Sequence, residues 1–491
     1  MGTIQKQSIN QSLVQYIGVG IGALSVMLLY PMDKEAYGLA RFLLGTGLLF
    51  APLINLGFSA IAIRFFEEFG DKSGKKKGFL GFLLLFNLIG AIIFIILAFL
   101  FKSQIFEFYE ERSPLFLQFL PYLVPLAILF SLFQILTSYS TNYHKIVVPS
   151  LIQNLVKISL PILFILMLYN VIGYEGIANG LVTHWVIAVL ALFAYLYYLG
   201  ALNWKLDFSF LTKERMGRIK SFATYGLLAN YGSLLATRID EFMIPTLIDF
   251  TSNGAYAIAA FIGSAIMIPG TAVMQISSPI IAKSIQEGDW KNVGSIYTKA
   301  STNLTLIGLF FFVAIICSVE DLFSMMSKPE EMVSGFSVVL FICLAKLIDM
   351  MTSVNNQIIN YSKYYRFGMW AIIVLGIMNV FLNLFLIPKY GITGAAMATF
   401  TSLVLYNILK LGFIYYKFKI QPFTKQTWML IFIASLSFVA GYFIPITGTA
   451  WMDIFIRSIA IGIVYLPTVL YLKISPDVND LLKKRWEKIN G

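Results

Sequence analysis

Residues 79–101 read FLGFLLLFNLIGAIIFIILAFLF, twenty-three positions with no charge and a single amide at Asn87. A helix of that length rises about 35 Å, enough to cross the roughly 30 Å hydrocarbon core of a bilayer. The run is too long for a barrel strand and lacks the in-and-out alternation that such strands require. Lys75, Lys76 and Lys77 stand just before it, placed as a stop signal and a contact for anionic lipid. Similar runs recur along the 491 residues and predict fourteen helical spans: 9–30, 38–63, 79–101, 115–139, 149–170, 177–200, 222–247, 254–282, 300–319, 334–358, 368–388, 392–416, 428–445 and 454–472.

Composition agrees. Hydrophobic residues make up 58% of the chain and charged ones 12%, where a soluble protein carries about 25% charged. That excludes an ordinary soluble enzyme, a disordered scaffold and a collagenous fibre. Cys317 and Cys343 lie inside apolar runs, which argues against a disulfide framework. With only His144 and His184, a histidine-rich metal site is excluded too. His184 reads as a hydrogen-bonded packing residue. The expectation is an all-α, polytopic membrane protein.

The net charge of +11 is a topology signal. With the N-terminus placed in the cytoplasm, the breaks on that side hold 25 Lys and Arg against five on the other side, and six fall within spans. Such a bias puts both termini inside and requires an even number of crossings. It leaves no nucleic-acid footprint. The tail 474–491 reads as a short amphipathic helix on the cytoplasmic surface.

The chain also resembles itself. Ala36-Tyr37-Gly38-Leu39-Ala40-Arg41-Phe42 returns as Ala255-Tyr256-Ala257-Ile258-Ala259-Ala260-Phe261, and Gly176-Ile177-Ala178 as Gly391-Ile392-Thr393. These offsets predict two six-span lobes inserted the same way, 1–205 and 206–425, followed by spans 13 and 14 over 426–473 and the tail. Parallel repeats of this kind are common in secondary transporters.

Charges within spans are functional candidates, because each costs at least about 2.5 kcal/mol at the bilayer centre. Arg238 and Glu241 are three apart and can neutralise each other, as can Lys346 and Asp349. Asp240, Lys157 and Arg41 have no partner nearby in the sequence. Arg64, Arg457 and Lys410 are expected to snorkel to the interface.

The stretch Ile387-Pro388-Lys389-Tyr390-Gly391-Ile392-Thr393-Gly394-Ala395-Ala396-Met397-Ala398-Thr399 resembles a signature of lipid-linked oligosaccharide flippases, the O-antigen and capsular-polysaccharide type. So do Asp240 with Gly254-Ala255-Tyr256, Pro269 and Pro279, and Glu35-Ala36-Tyr37-Gly38 with Leu56-Gly57. Those proteins belong to the multidrug/oligosaccharidyl-lipid/polysaccharide export superfamily. The resemblance implies a non-enzyme that moves undecaprenyl-diphosphate-linked repeat units across a bacterial inner membrane by alternating access. It also implies polysaccharide assembly machinery as a partner.

Such a carrier needs cationic donors for the diphosphate. Arg41, Lys157, Arg238 and Lys346 are the candidates, expected to face one another across a cavity. Asn379 and Asn383 project from one helix face. Together with Asp240 and Thr399 they resemble the sodium site of lipid II flippases in the same superfamily, with Asp349 as a further cation-coupling candidate. Asn383 stands where those proteins carry an acidic residue. The alternative is that the two amides hold helices together, and coupling to sodium or to protons stays open. No other cofactor is expected. A cation antiporter of the same fold would want an acidic cavity, which Arg41 and Lys157 oppose. A membrane-embedded glycosyltransferase or polymerase would want a larger outer loop than the dozen or so residues found here.

Overall fold

The structure is a computed structural model that describes residues 17–69, 78–109, 114–143, 147–202, 212–332, 334–444, 447–475 and 479. The start of the first expected span, the Lys75–Lys77 run, His144 and most of the tail 474–491 lie outside these residues. Among the described residues every regular element is a helix.

In chain order these are α1 (Ile17–Met32), α2 (Lys34–Asn55), α3 (Phe58–Arg64), α4 (Phe79–Leu100), α5 (Lys102–Tyr109), α6 (Leu115–Thr141), α7 (Val147–Leu168) and α8 (Tyr174–Tyr198). They continue with α9 (Lys213–Leu247), α10 (Phe250–Ser264), α11 (Ile268–Gln286), α12 (Trp290–Ser324), α13 (Gly335–Thr352) and α14 (Asn355–Tyr361). The helix Tyr365–Phe418 is broken at Gly391, giving α15 (365–390) and α16 (392–418), and α17 (Lys425–Tyr442) and α18 (Ala450–Tyr471) close the series.

Ten helical stretches among the described residues, with Tyr365–Phe418 counted as one, are long and apolar enough to cross a membrane. α4 shows why lipid is the natural surroundings. Only 22% of its apolar window is covered by protein, and Leu88, Ile92, Ile96 and Phe99 are exposed. An uncharged helix with that much bare apolar surface belongs in hydrocarbon.

Contacts gather the chain into two compact units, 1–257 with 379–383, and 258–378 with 384–491. In the first unit α2 is the central element, packed on α6 and α9. Close approach is made possible by glycines that meet backbone. A Cβ at Gly38 would run into the Phe250 carbonyl, and one at Gly254 into the Lys34 carbonyl. Asn253 ties the same contact by donating to the Gly38 carbonyl at 2.8 Å. The heads of the two similar segments therefore pack directly on each other. Helix α9, expected at the start of the second lobe, packs within the first unit, along α2 and α3.

In the second unit α12 packs against α13, α17 and α18. Tyr465 donates to the Leu306 carbonyl at 2.9 Å. The turn between α15 and α16 is set by Gly391, whose φ of 58° and ψ of −139° suit only a residue without a side chain. Gly394 lies so close to the Leu386 carbonyl that a methyl group would collide there. The glycines of the Ile387–Thr399 signature thus form a tight helical hairpin.

Two charged residues depart from expectation in this unit. Arg457 does not snorkel: it is 9% exposed and donates to Asp321 at 2.6 Å and to the Cys317 carbonyl at 2.7 Å. Lys410 is buried as well. Its ammonium donates to Asn355 and Asn356, each at 3.1 Å, and sits 3.8 Å from the Tyr406 ring centroid. Neither side chain reaches for an interface because each finds its partners inside. Arg64, by contrast, is exposed at the end of α3. Both cysteines are buried free thiols.

The α2–α10 contact is checked by substitution. Gly38→Val should destabilise the detergent-solubilised protein by about 2 kcal/mol or more, the cost of overpacking. Gly412→Val, at a position where an added Cβ would have nothing within 4 Å, should stay within about 0.5 kcal/mol. Equal thermal midpoints for the two variants would show that the helices do not approach so closely.

Candidate functional site

The charged residues of α9 gather the site. Arg238 and Glu241, three apart, form the expected pair, with Arg238 Nη1 donating to Glu241 Oε1 at 3.0 Å. A second guanidinium joins them: Arg41 Nη2 of α2 donates to the same oxygen. One carboxylate therefore serves two arginines from different helices. The Glu241 side chain is 9% exposed, whereas those of Arg41 and Arg238 are 30% and 35% exposed. The anion is enclosed and the cations keep open sides.

Gly45 explains how the carboxylate gets in. It lies four residues after Arg41 on the same face of α2, and a Cβ there would strike Glu241 Oε2. The sequence shows this glycine but gives no reason to single it out. Arg41 also has a partner that spacing could not reveal, since Glu241 is 200 positions away.

Asp240, next to Glu241, points about 100° away around the helix and makes separate contacts. It accepts from the Tyr256 hydroxyl at 2.5 Å and from Asn383 Nδ2 at 2.8 Å. The same Nδ2 donates to Asn379 Oδ1 at 3.1 Å, and Asn379 Nδ2 donates to the Ala236 carbonyl at 3.3 Å. Asp240, Asn379 and Asn383 of the cation constellation thus come together. Thr399 is buried in the second unit. Tyr256, known from the sequence as a repeat position and part of the family-like stretch at 254–256, is an added member.

The residues present fit a hard cation. Oxygens of Asp240 and Asn379 converge on one donor, and Asn383 Oδ1 is buried with no partner among the described residues. The amide's oxygen and nitrogen have nearly the same shape. Turning Asn383 about its last torsion would exchange its N–H donor for that oxygen and complete an all-oxygen set, the preference of small hard cations.

Other candidates stand apart. Lys157 makes no hydrogen bond or ion pair among the described residues. Its side chain runs along α1, where a methyl on Gly18 would come within 3.1 Å of its ammonium. Lys346 does not pair with Asp349 among the described residues. Asp349 Oδ1 instead accepts from Asn407 Nδ2 at 2.7 Å, and Asn407 Oδ1 in turn accepts from Thr352 and Asn355. The i,i+3 pairing fails because an amide on α16 takes the carboxylate. His184 packs as expected, 3.0 Å from the Ser159 hydroxyl.

Comparison with known proteins agrees with this fold. Over 95% of this chain and 98% of the other, the structure resembles the lipid II flippase MurJ in its inward closed conformation, with a TM-score of 0.72 at 15% identity. An inward-facing multidrug resistance MATE family transporter of the MOP superfamily gives a TM-score of 0.65 at 13% identity, over 85% of this chain and 98% of that one. In sequence, the probable flippase AglR of Haloferax volcanii is 24% identical over 270 residues, 53% of this chain and 52% of the relative. The chain thus spans about half the length of that curated relative. Residues 4–285, more than half the chain and including Arg41, Arg238, Asp240 and Glu241, match the polysaccharide biosynthesis protein family, and the chain belongs to that family.

Proposed function

We propose that the protein is a flippase for lipid-linked oligosaccharides, carrying a polyprenyl-diphosphate glycolipid, undecaprenyl in a bacterial inner membrane, to the opposite leaflet. The observation that carries this reading is the pair of part-exposed arginines, Arg41 and Arg238, held by one enclosed carboxylate inside a membrane-type helical fold. Guanidinium forks match phosphate oxygens in pairs. The lipid tail can remain in the bilayer, so the protein need shield only the diphosphate and the sugar.

The family membership and the likeness to a lipid II flippase support the same reading. Fourteen crossings in two parallel six-helix repeats, alternating access and cytoplasmic termini complete it. Lys157 and Lys346 are further phosphate donors, and assembly enzymes for the polysaccharide are partners. Asp240, Asn379 and Asn383 are assigned to a coupling cation, sodium in preference to a proton because the set, with Asn383 turned, is all oxygen. A bound cation would supply positive charge that fixes this cluster.

The test is transport of labelled undecaprenyl-diphosphate oligosaccharide in proteoliposomes, with a cationic dye as competitor class. Wild-type protein should move the glycolipid and not the dye. Arg41→Ala and Asp240→Ala should each lower the rate at least about a hundredfold, as lost charge-assisted contacts do, while both remain inserted. Transport of the dye alone, or wild-type rates in both variants, would refute the assignment. Sodium coupling is read separately: a sodium gradient should accelerate wild-type transport, and Asp240→Asn should remove that response. Equal rates with and without the gradient would exclude sodium.

A further inference from the structure

The cluster around Glu241 leaves a buried carboxylate oxygen unbonded, which the buried Arg457–Asp321 pair does not among the described residues. A carboxylate often meets a guanidinium fork with both oxygens. Here both guanidiniums fall on Oε1. Oε2 is buried with no hydrogen-bond partner among the described residues, and so is Arg41 Nε. In the second unit Arg457 Nε is unbonded as well, but its partner Asp321 has no buried oxygen without a partner among the described residues, and Arg457 Nη1 reaches both Asp321 and a backbone carbonyl. Unmade bonds at a buried charge are costly, and they are made good when a ligand with more oxygens takes the carboxylate's place.

We propose that Glu241 is the carrier's resident counter-anion: its carboxylate holds, between Arg41 and Arg238, the position that the substrate's diphosphate takes on loading. The nature of the diphosphate rests on the flippase reading above. The displacement itself rests on the geometry. A diphosphate esterified at both ends carries two negative charges, which match two guanidiniums. It also offers oxygens enough for both forks, including the Arg41 Nε that Glu241 leaves unused. The open sides of the arginines admit it, and Glu241 withdraws from Arg41 while Arg238, on the same face of α9, stays within reach. When the glycolipid leaves, the carboxylate returns. The arginines then do not cross the low-dielectric slab uncompensated. Gly45 is the positioning residue, because only a hydrogen there leaves room for Oε2.

A resident competitor lowers affinity and speeds resetting, so its removal should split the two. In detergent, purified Glu241→Gln should bind inorganic pyrophosphate about tenfold more tightly than wild type, the equivalent of one charge-assisted contact no longer displaced. Gly45→Ala keeps the charge but pushes the carboxylate aside, and should shift affinity the same way. In proteoliposomes Glu241→Gln should show a lower KM and a lower kcat for net transport. Exchange of labelled for unlabelled glycolipid, which needs no unloaded return, should persist.

Unchanged or weaker pyrophosphate binding in these variants overturns the proposal. So does a kcat loss without the fall in KM, which is the mark of a structural ion pair. If Glu241→Gln does not fold, Gly45→Ala decides alone. Tighter pyrophosphate binding by the variants in a protein that moves no glycolipid would sink the flippase reading and leave the counter-anion standing.

Discussion

A charge carried into hydrocarbon has to be matched, and in this protein one carboxylate, Glu241, matches two guanidiniums. The rest of the first unit is arranged around that contact. Helix α9 supplies Glu241 and, one turn earlier, Arg238. Helix α2 supplies Arg41 and, one turn later, the gap at Gly45 that lets the carboxylate in. Two acidic residues adjacent in sequence are turned apart by the helix and given different surroundings. Glu241 faces arginines, whereas Asp240 faces a tyrosine hydroxyl and an amide. One helix thereby carries an arginine-facing carboxylate and an amide-facing carboxylate side by side, which is the layout the proposed carrier needs if its ion and its phosphate-bearing cargo are to influence each other.

The buried charges of the second unit are satisfied differently. Arg457 has Asp321 and a carbonyl, Lys410 has two amide oxygens and an aromatic face, and Asp349 has Asn407. Charges paired in this way hold helices together, even with Arg457 Nε unbonded, and removing one partner would leave the other stranded. The cluster at Arg41 is set apart by the buried, unbonded Glu241 Oε2 and by its part-exposed cations, and for that reason the phosphate site is proposed there.

Much of the architecture was legible in the sequence because a bilayer imposes its own length scale. A run such as 79–101 admits few readings, and helix covers most of the described part of the expected spans, with breaks inside 38–63 at Leu56-Gly57 and inside 334–358 at Ser353-Val354. The break at Gly391 was legible from proline and glycine placed between two apolar runs. The convergence of Asp240, Asn379 and Asn383 was legible from a four-residue spacing together with a family likeness. Long-range partners were not. Nothing local links Arg41 to Glu241, and nothing local says that Lys410, near the end of an apolar run, turns inward to two asparagines. Lys346 and Asp349 show the opposite error: correct spacing for a pair, with the carboxylate taken by a residue 58 positions away. Helix periodicity states which residues share a face, but the neighbour that face meets is decided by packing.

The most direct measurement is an experimental structure of the protein in lipid nanodiscs with a diphosphate-linked glycolipid bound. The account expects phosphate density within hydrogen-bonding distance of both Arg41 and Arg238, with the Glu241 carboxylate withdrawn from Arg41. Phosphate density elsewhere, with both guanidiniums still seated on Glu241, would contradict it.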